Sequence, residues 1–205
     1  MENSGNGTID FILLSRIDYF CWCVDAYFSF CYFKKAREGV KERSFIEELT
    51  DSLHGRIVLM GIGSENRGDD AAGSLIAQAL KSKNNFCSID CSDIPESYTG
   101  PAKEFQPDSI LFIDAIDFGG QPGDVTFLKP EMLKEIRFNS HHPSLRHVMD
   151  YLRSETGSKV NLIGIQPGNI APGSGVTPAI QSTIEIVKTA ITELLDKMSD
   201  EGENS

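Results

Sequence analysis

Apolar residues fall along this chain in two rhythms, short unbroken runs and stripes at helical spacing, and the two alternate. Residues 56–62, RIVLMGI, form a β-branched run without polar alternation, the pattern of a strand covered on both faces in a parallel sheet. Comparable runs recur at 86–90 (FCSID), 109–115 (SILFIDA), 124–128 (DVTFL, reached through the turn GGQPG) and 159–165 (KVNLIGI). Helical patterns lie around and between them. Residues 44–54 place Phe45, Ile46, Leu49 and Leu53 at helical spacing, and a helix at about 71–80 follows the Asp69-Asp70 pair. Ser140 and Pro143 mark the start of another, running to about Arg153, and Thr177-Pro178 opens a last one striped by Ile180, Ile184, Val187, Ile191, Leu194 and Leu195. Residues 91–100, CSDIPESYTG, read as a loop, and the acidic tail after Met198 as loose chain. Strands alternating with helices predict an α/β fold: a three-layer, doubly wound, mostly parallel sheet of about five strands with helices on both faces.

The start of the chain breaks this pattern. Residues 9–33 are aromatic and apolar but interrupted by Asp10, Arg16, Asp18 and Asp25, which makes a poor spanning helix. Residues 34–43, KKAREGVKER, are the only dense basic stretch. Together, residues 9–43 have a weak membrane-surface character; a solvated linker is the favoured reading, and an upstream translation that never packs is a third. The expected organisation is therefore an N-terminal extension at 1–50, a catalytic-size domain at 51–198 and an acidic tail at 199–205.

Composition narrows the function. With 30 acidic against 19 basic residues the formal charge is −11, which opposes nonspecific nucleic-acid binding because that needs clustered Lys and Arg. Of five cysteines, Cys21, Cys23 and Cys31 stand in the first segment and only Cys87 and Cys91 in the presumed domain, with no pair at zinc spacing. No signal peptide is evident, so a reducing cytoplasm fits best.

The candidate chemistry gathers at strand ends. After the first strand, Gly61 and Gly63 allow a sharp turn in GIGSENRGDDAAG, and Asp69 or Asp70 can cap the helix behind it. Asp70, Asp90 and Asp114 all fall at or just past the ends where parallel strands deliver ligands, and His141 lies in a loop able to reach them. Singly, each has an ordinary explanation as a cap, a strand-end bond or a helix-start histidine. Three on one sheet edge favour a site. Two carboxylates and an imidazole make an oxygen and nitrogen donor set without thiolate, suited to nickel, zinc or iron(II) with positions left open for substrate.

These residues also carry a resemblance. GIGSENRGDDAAG, IDCSDIPE, LFIDAID, the His141 loop and GIQP (164–167) occur in the order and spacing of the hydrogenase maturation endopeptidases. The chain resembles that family over about residues 56–197, most closely the branch that processes hydrogenase-3-type large subunits. The resemblance implies an enzyme that removes a short C-terminal extension from the large-subunit precursor of a nickel-iron hydrogenase after nickel insertion. It also implies that Asp70, Asp114 and His141 bind the metal and carry catalysis, and that Asp90 serves substrate recognition, with Glu96 in the following loop beside it. The nickel would arrive with the precursor and polarise a carbonyl or activate a water, so that no serine or cysteine nucleophile is required. His141 is chosen over His142 because Leu145 then keeps the family's spacing. Asp70 and His141 are both expected on surface loops.

Other readings compete. A dinucleotide-binding fingerprint fails because Asn66 stands where its third glycine belongs. A receiver-like phosphoacceptor module would use Asp114 but needs a lysine at the end of the last strand, where the chain reads Ile165-Gln166-Pro167. A nickel-dependent chaperone that holds the precursor without cutting it is not separated from a peptidase by the sequence.

Overall fold

Four of the five apolar runs become parallel strands, and the helices between them divide evenly enough to cover both sides. The computed structural model describes residues 45–130, 139–140 and 145–203. In chain order the elements are α1 (Phe45–Ser52), β1 (Ile57–Gly61), a 3-10 segment (Glu65–Ala71) leading into α2 (Ala72–Ala79), β2 (Phe86–Asp90), a 3-10 turn (Pro95–Tyr98) leading into α3 (Thr99–Glu104), β3 (Ser109–Asp117), β4 (Val125–Leu128), β5 (Asn139–Ser140), α4 (Leu145–Thr156), β6 (Lys159–Ile165) and α5 (Pro178–Glu203). The sheet order is β2-β1-β3-β6-β4. β1, β2, β3 and β6 are parallel, β4 closes one edge antiparallel to β6, and β5 pairs antiparallel with the end of β3.

The lack of polar alternation in the strands follows from burial on both faces. Ile57, Leu59, Leu111, Ile113, Ile163 and Ile165 pack with Leu49 of α1, Leu53 just beyond its end, Ile76 of α2 and the Ile180-to-Leu195 stripe of α5. The intervening Val58, Met60, Ile110, Phe112, Val160 and Leu162 pack with Ala102 of α3 and Leu145, Val148, Met149 and Leu152 of α4. Three layers result, as the sequence predicts. Burial of each large side chain in these clusters contributes about 1.5–3 kcal/mol.

Three local expectations change. Of the expected loop 91–100, residues 95–100 are helical, and the helix runs on to Glu104; the Gly100-Pro101 pair disguises α3 in the sequence, yet proline is tolerated in a first turn where its missing N–H has no partner to lose. β3 runs on to Asp117, because β5 pairs with Ile116 and Asp117. α5 continues to Glu203 through the acidic stretch, with no glycine or proline before Gly202 to stop it. Among the described residues no helix is long and apolar enough to cross a membrane.

One close approach positions everything that follows. A Cβ on Gly73 would lie 2.2 Å from the Ile113 carbonyl oxygen and 2.4 Å from that of Ile62. Glycine therefore lets the start of α2 rest directly on the backbones of β1 and β3, drawing the 3-10 segment before it over the tip of β3.

Candidate functional site

In the order β2-β1-β3, the chain moves outward from β1 to β2 and then crosses back to β3, so the topological switch point of this doubly wound sheet, where such folds form their ligand crevice, lies between the carboxyl ends of β1 and β3. Two carboxyl groups meet there. Asp70, from the 3-10 segment after β1, is 1% exposed, and Asp114, in β3, is fully buried. Asp70 is thus not on a surface loop, and Asp114 lies within its strand rather than at its end, three residues before Asp117.

Both are short of partners. Four buried side-chain polar atoms among the described residues lack a hydrogen bond, and all belong here: Asp70 Oδ1, Asp114 Oδ1, Asp114 Oδ2 and Arg67 Nε. Burial first, and then the negative charge of Asp70, push the Asp114 carboxyl well above the usual carboxylate range. The Ala115 backbone N–H acts in the opposite sense, without bonding either oxygen. Leaving a buried acceptor unsatisfied costs about 1–3 kcal/mol, so such a pair at a crevice favours an occupant that is positively charged.

The third expected ligand, His141, lies outside the described residues, as does His142. Its neighbour is informative: Ser140 pairs with Ile116, two residues from Asp114. The chain thus reaches the Asp114 strand immediately before the histidine. Among the described residues no group of three or more potential metal ligands comes together, and Asp70 and Asp114 stand as a pair of buried carboxyl groups.

Asp69 and Asp90 have different employment. Neither aspartate of the pair caps α2, which begins without a side-chain cap. Asp69 is fully buried and faces the other way: its Oδ2 accepts from the amides of Gly168 and Asn169, each at 2.8 Å, and from the Thr177 hydroxyl at 3.1 Å, while its Oδ1 accepts from the Thr177 amide at 2.7 Å. It clamps the loop 166–177. Asp90 closes β2 and is half-buried; Ser74 Oγ and the Ser92 amide donate to its Oδ1 at 2.8 and 2.9 Å, and Gln78 Nε2 to its Oδ2 at 2.7 Å. Glu96 is exposed on the turn beyond it. Cys91, next in the chain, has its thiol pushed up to about 12 by burial and secondarily by Asp90, so it stays protonated and is no nucleophile. The crevice therefore brings Asp70 and Asp114 together and places Asp90 and Glu96 on the neighbouring strand end and loop.

Comparison with known proteins decides the family. A model of the hydrogenase maturation proteases matches residues 71–195, more than half of the chain. The chain belongs to that family. It is accordingly a peptidase. The match begins one residue after Asp70 and takes in Asp90, Glu96, Asp114 and His141. The hydrogenase 3 maturation protease of Escherichia coli K12 is 32% identical over 133 residues, covering 63% of this chain and 85% of that one. Among solved structures, the [NiFe] hydrogenase maturation protease HycI of Thermococcus kodakarensis KOD1 is 36% identical, covers 73% of this chain and 99% of its own, and superposes with a TM-score of 0.68. The E. coli maturating endopeptidase HybD is 25% identical with a TM-score of 0.57, over 72% of this chain and 94% of its own.

A maturation protease has no use for the receiver-type lysine, and Gln166 shows what stands there instead. Its Oε1 accepts from the Phe118 and Gly120 amides at 2.9 and 3.0 Å, and its Nε2 donates to Asp117 Oδ1 at 3.1 Å, fixing the turn after β3. Pattern reading missed this clamp and that of Asp69.

The 3-10 segment is held down at Gly68, whose φ is +56° and whose missing Cβ would lie 2.3 Å from Ser174 Oγ and 2.5 Å from the Asn169 carbonyl oxygen. Gly68→Ala is expected to destabilise the fold by about 2–3 kcal/mol through left-handed backbone strain and overlap. Urea unfolding checks it, and an unchanged midpoint would count against the pinning of this segment.

Proposed function

We propose that this chain is the cytoplasmic endopeptidase that removes a C-terminal extension from the large-subunit precursor of a nickel-iron hydrogenase, acting once nickel has been inserted. Asp70, Asp114 and His141 complete the coordination of the ion that the precursor carries. The observation that carries this reading is the trio of buried, unpartnered carboxylate oxygens at the β1/β3 crevice of a maturation protease. Hard oxygen donors with one imidazole fit a borderline divalent ion.

The nickel, as part of the substrate, supplies a Lewis acid beside the scissile bond. The chain's own residues supply selectivity. Burial and Asp70 hold the proton on Asp114; an approaching cation releases it, because metal ligands bind deprotonated. A precursor without metal brings only a neutral peptide to two desolvated carboxyl groups, which is unfavourable. Asp90 contributes to recognition through the loop it orders: bonded to Ser74, Gln78 and Ser92, it sets the path of residues 91–98, where Ile94 is half exposed and Glu96 faces solvent. Cys87 and Cys91, both free, agree with a reducing compartment.

Incubation of the full chain with nickel-loaded precursor, followed by the mass of the large subunit, tests the reading. Loss of the C-terminal peptide is expected. An unchanged mass with binding intact would make the protein a chaperone instead. His141→Ala is expected to abolish cleavage while His142→Ala retains it to within about threefold; the reverse result would shift the third ligand by one residue.

A further inference from the structure

The unsatisfied acceptors at the crevice are accompanied by one unsatisfied donor. Arg67 Nε is shut off from solvent and has no hydrogen-bond partner, although 39% of the side-chain surface is exposed. It forms a loose ion pair with Asp70, Nε to Oδ2 at 4.0 Å, beyond hydrogen-bonding reach. Donor and acceptors thus share one place without satisfying one another. The root of the side chain is fixed: the Arg67 amide donates to the Ser64 carbonyl at 3.0 Å, and the residue sits at a kink (φ −124°, ψ 39°) immediately before Gly68, which the 168–177 loop pins. The backbone that carries the guanidinium is thus fixed beside Asp70.

The chemistry of that ligand follows from what each partial occupant would leave. A bare cation would satisfy Asp70 and Asp114 but strand the N–H, at a cost of about 1–3 kcal/mol. A neutral peptide would satisfy the N–H and strand the carboxylates. An occupant that completes both carries a positive centre and, a few ångström from it, an oxygen acceptor. A peptide carbonyl held beside a metal ion is such an occupant.

We propose that Arg67 is a catalytic residue of this peptidase, its Nε–H donating to the oxygen of the scissile carbonyl. The assignment rests on the peptidase reading above. As the oxygen of water adds to the carbonyl carbon, the π pair moves onto the carbonyl oxygen, where the N–H and the fixed positive charge meet it in a water-poor setting. When the C–N bond breaks, that pair re-forms the carbonyl, the water's hydroxyl stays on the acyl product, and its other proton leaves with the amine of the released peptide.

The test separates transition-state stabilisation from docking. Arg67→Met removes donor and charge; Arg67→Lys keeps the charge but not an N–H at the Nε position. With nickel-loaded precursor, Arg67→Met is expected to lower kcat by about 10²–10³-fold, as loss of one such donor does elsewhere. Its Kd for the precursor, measured by calorimetry, is expected to stay within about threefold, and Arg67→Lys to remain at least about tenfold below the unaltered chain in kcat. A kcat for Arg67→Met equal to that of the unaltered chain overturns the assignment. So does a Kd that weakens in step with the rate, which marks a docking residue, or full rescue by lysine, which marks a need for charge alone. Precursor left whole by the unaltered chain refutes the peptidase reading itself, whereas normal cutting by the Met variant refutes only the role of Arg67.

Discussion

Asp114→Asn is expected to stabilise the metal-free protein while ending its activity. The carboxyl of Asp114 is fully buried, both oxygens lack a donor, and Asp70 lies close enough to repel its charge. Since its native pKa is raised above the unfolded value, the native state holds the proton more tightly. The stability this confers is complete below the ordinary carboxylate range and is lost as pH rises through the raised native value. An amide has no proton to lose and offers an N–H₂ to the unpartnered Asp70 Oδ1. The gain should be on the order of 1–3 kcal/mol at neutral pH, worth about 2–4 °C in Tm for each kcal/mol in a chain of this size. It should shrink toward zero near pH 4, the ordinary carboxylate range. Thermal unfolding across pH, in the absence of metal, measures this, and precursor cleavage measures the loss. A variant that is less stable at neutral pH and still cuts would show the carboxyl to be structural.

Such a trade is what separates the legible from the illegible in this sequence. The sheet was readable because burial on both faces leaves a simple mark: residues 57–61 and 109–115 carry almost no polar side chain until Asp114, which becomes a candidate only beside Asp70 and His141. The burial of Asp70 was not readable, since pattern alone does not tell which of two adjacent aspartates turns to the 166–177 loop and which toward Asp114. Asp69 and Gln166 were missed for a different reason. Their partners are backbone amides 99 and 48 residues away in sequence, and a backbone donor has no letter. α3 was hidden by Gly100 and Pro101, whose local meaning is turn until the 3-10 turn before them supplies a helix to continue. Arg67 carries no mark in the sequence, and only the burial of a single nitrogen distinguishes it.

Asp69→Ala is expected to be the most destabilising change at the site, in contrast to its neighbour. Its two oxygens take four hydrogen bonds, three from the backbone amides of Gly168, Asn169 and Thr177, and the Asp69 amide returns one to the Asn169 carbonyl at 2.9 Å. Removing the carboxyl leaves three amides without their acceptor, for a loss of roughly 3–5 kcal/mol, the upper range for a single substitution. Asp69→Asn keeps one acceptor but turns an N–H₂ toward donors, so roughly half that loss is expected. The damage should be local before it is global: amide exchange at Gly168, Asn169 and Thr177 should accelerate while Val58 and Leu59 in β1 stay protected. Asp70→Asn, one residue on, should leave the urea midpoint unchanged or raised, because the carboxyl it replaces has an unpaired oxygen rather than a full set of bonds. If the two variants unfold at the same urea concentration, the division of labour between adjacent aspartates, one holding the loop and one facing the crevice, does not hold.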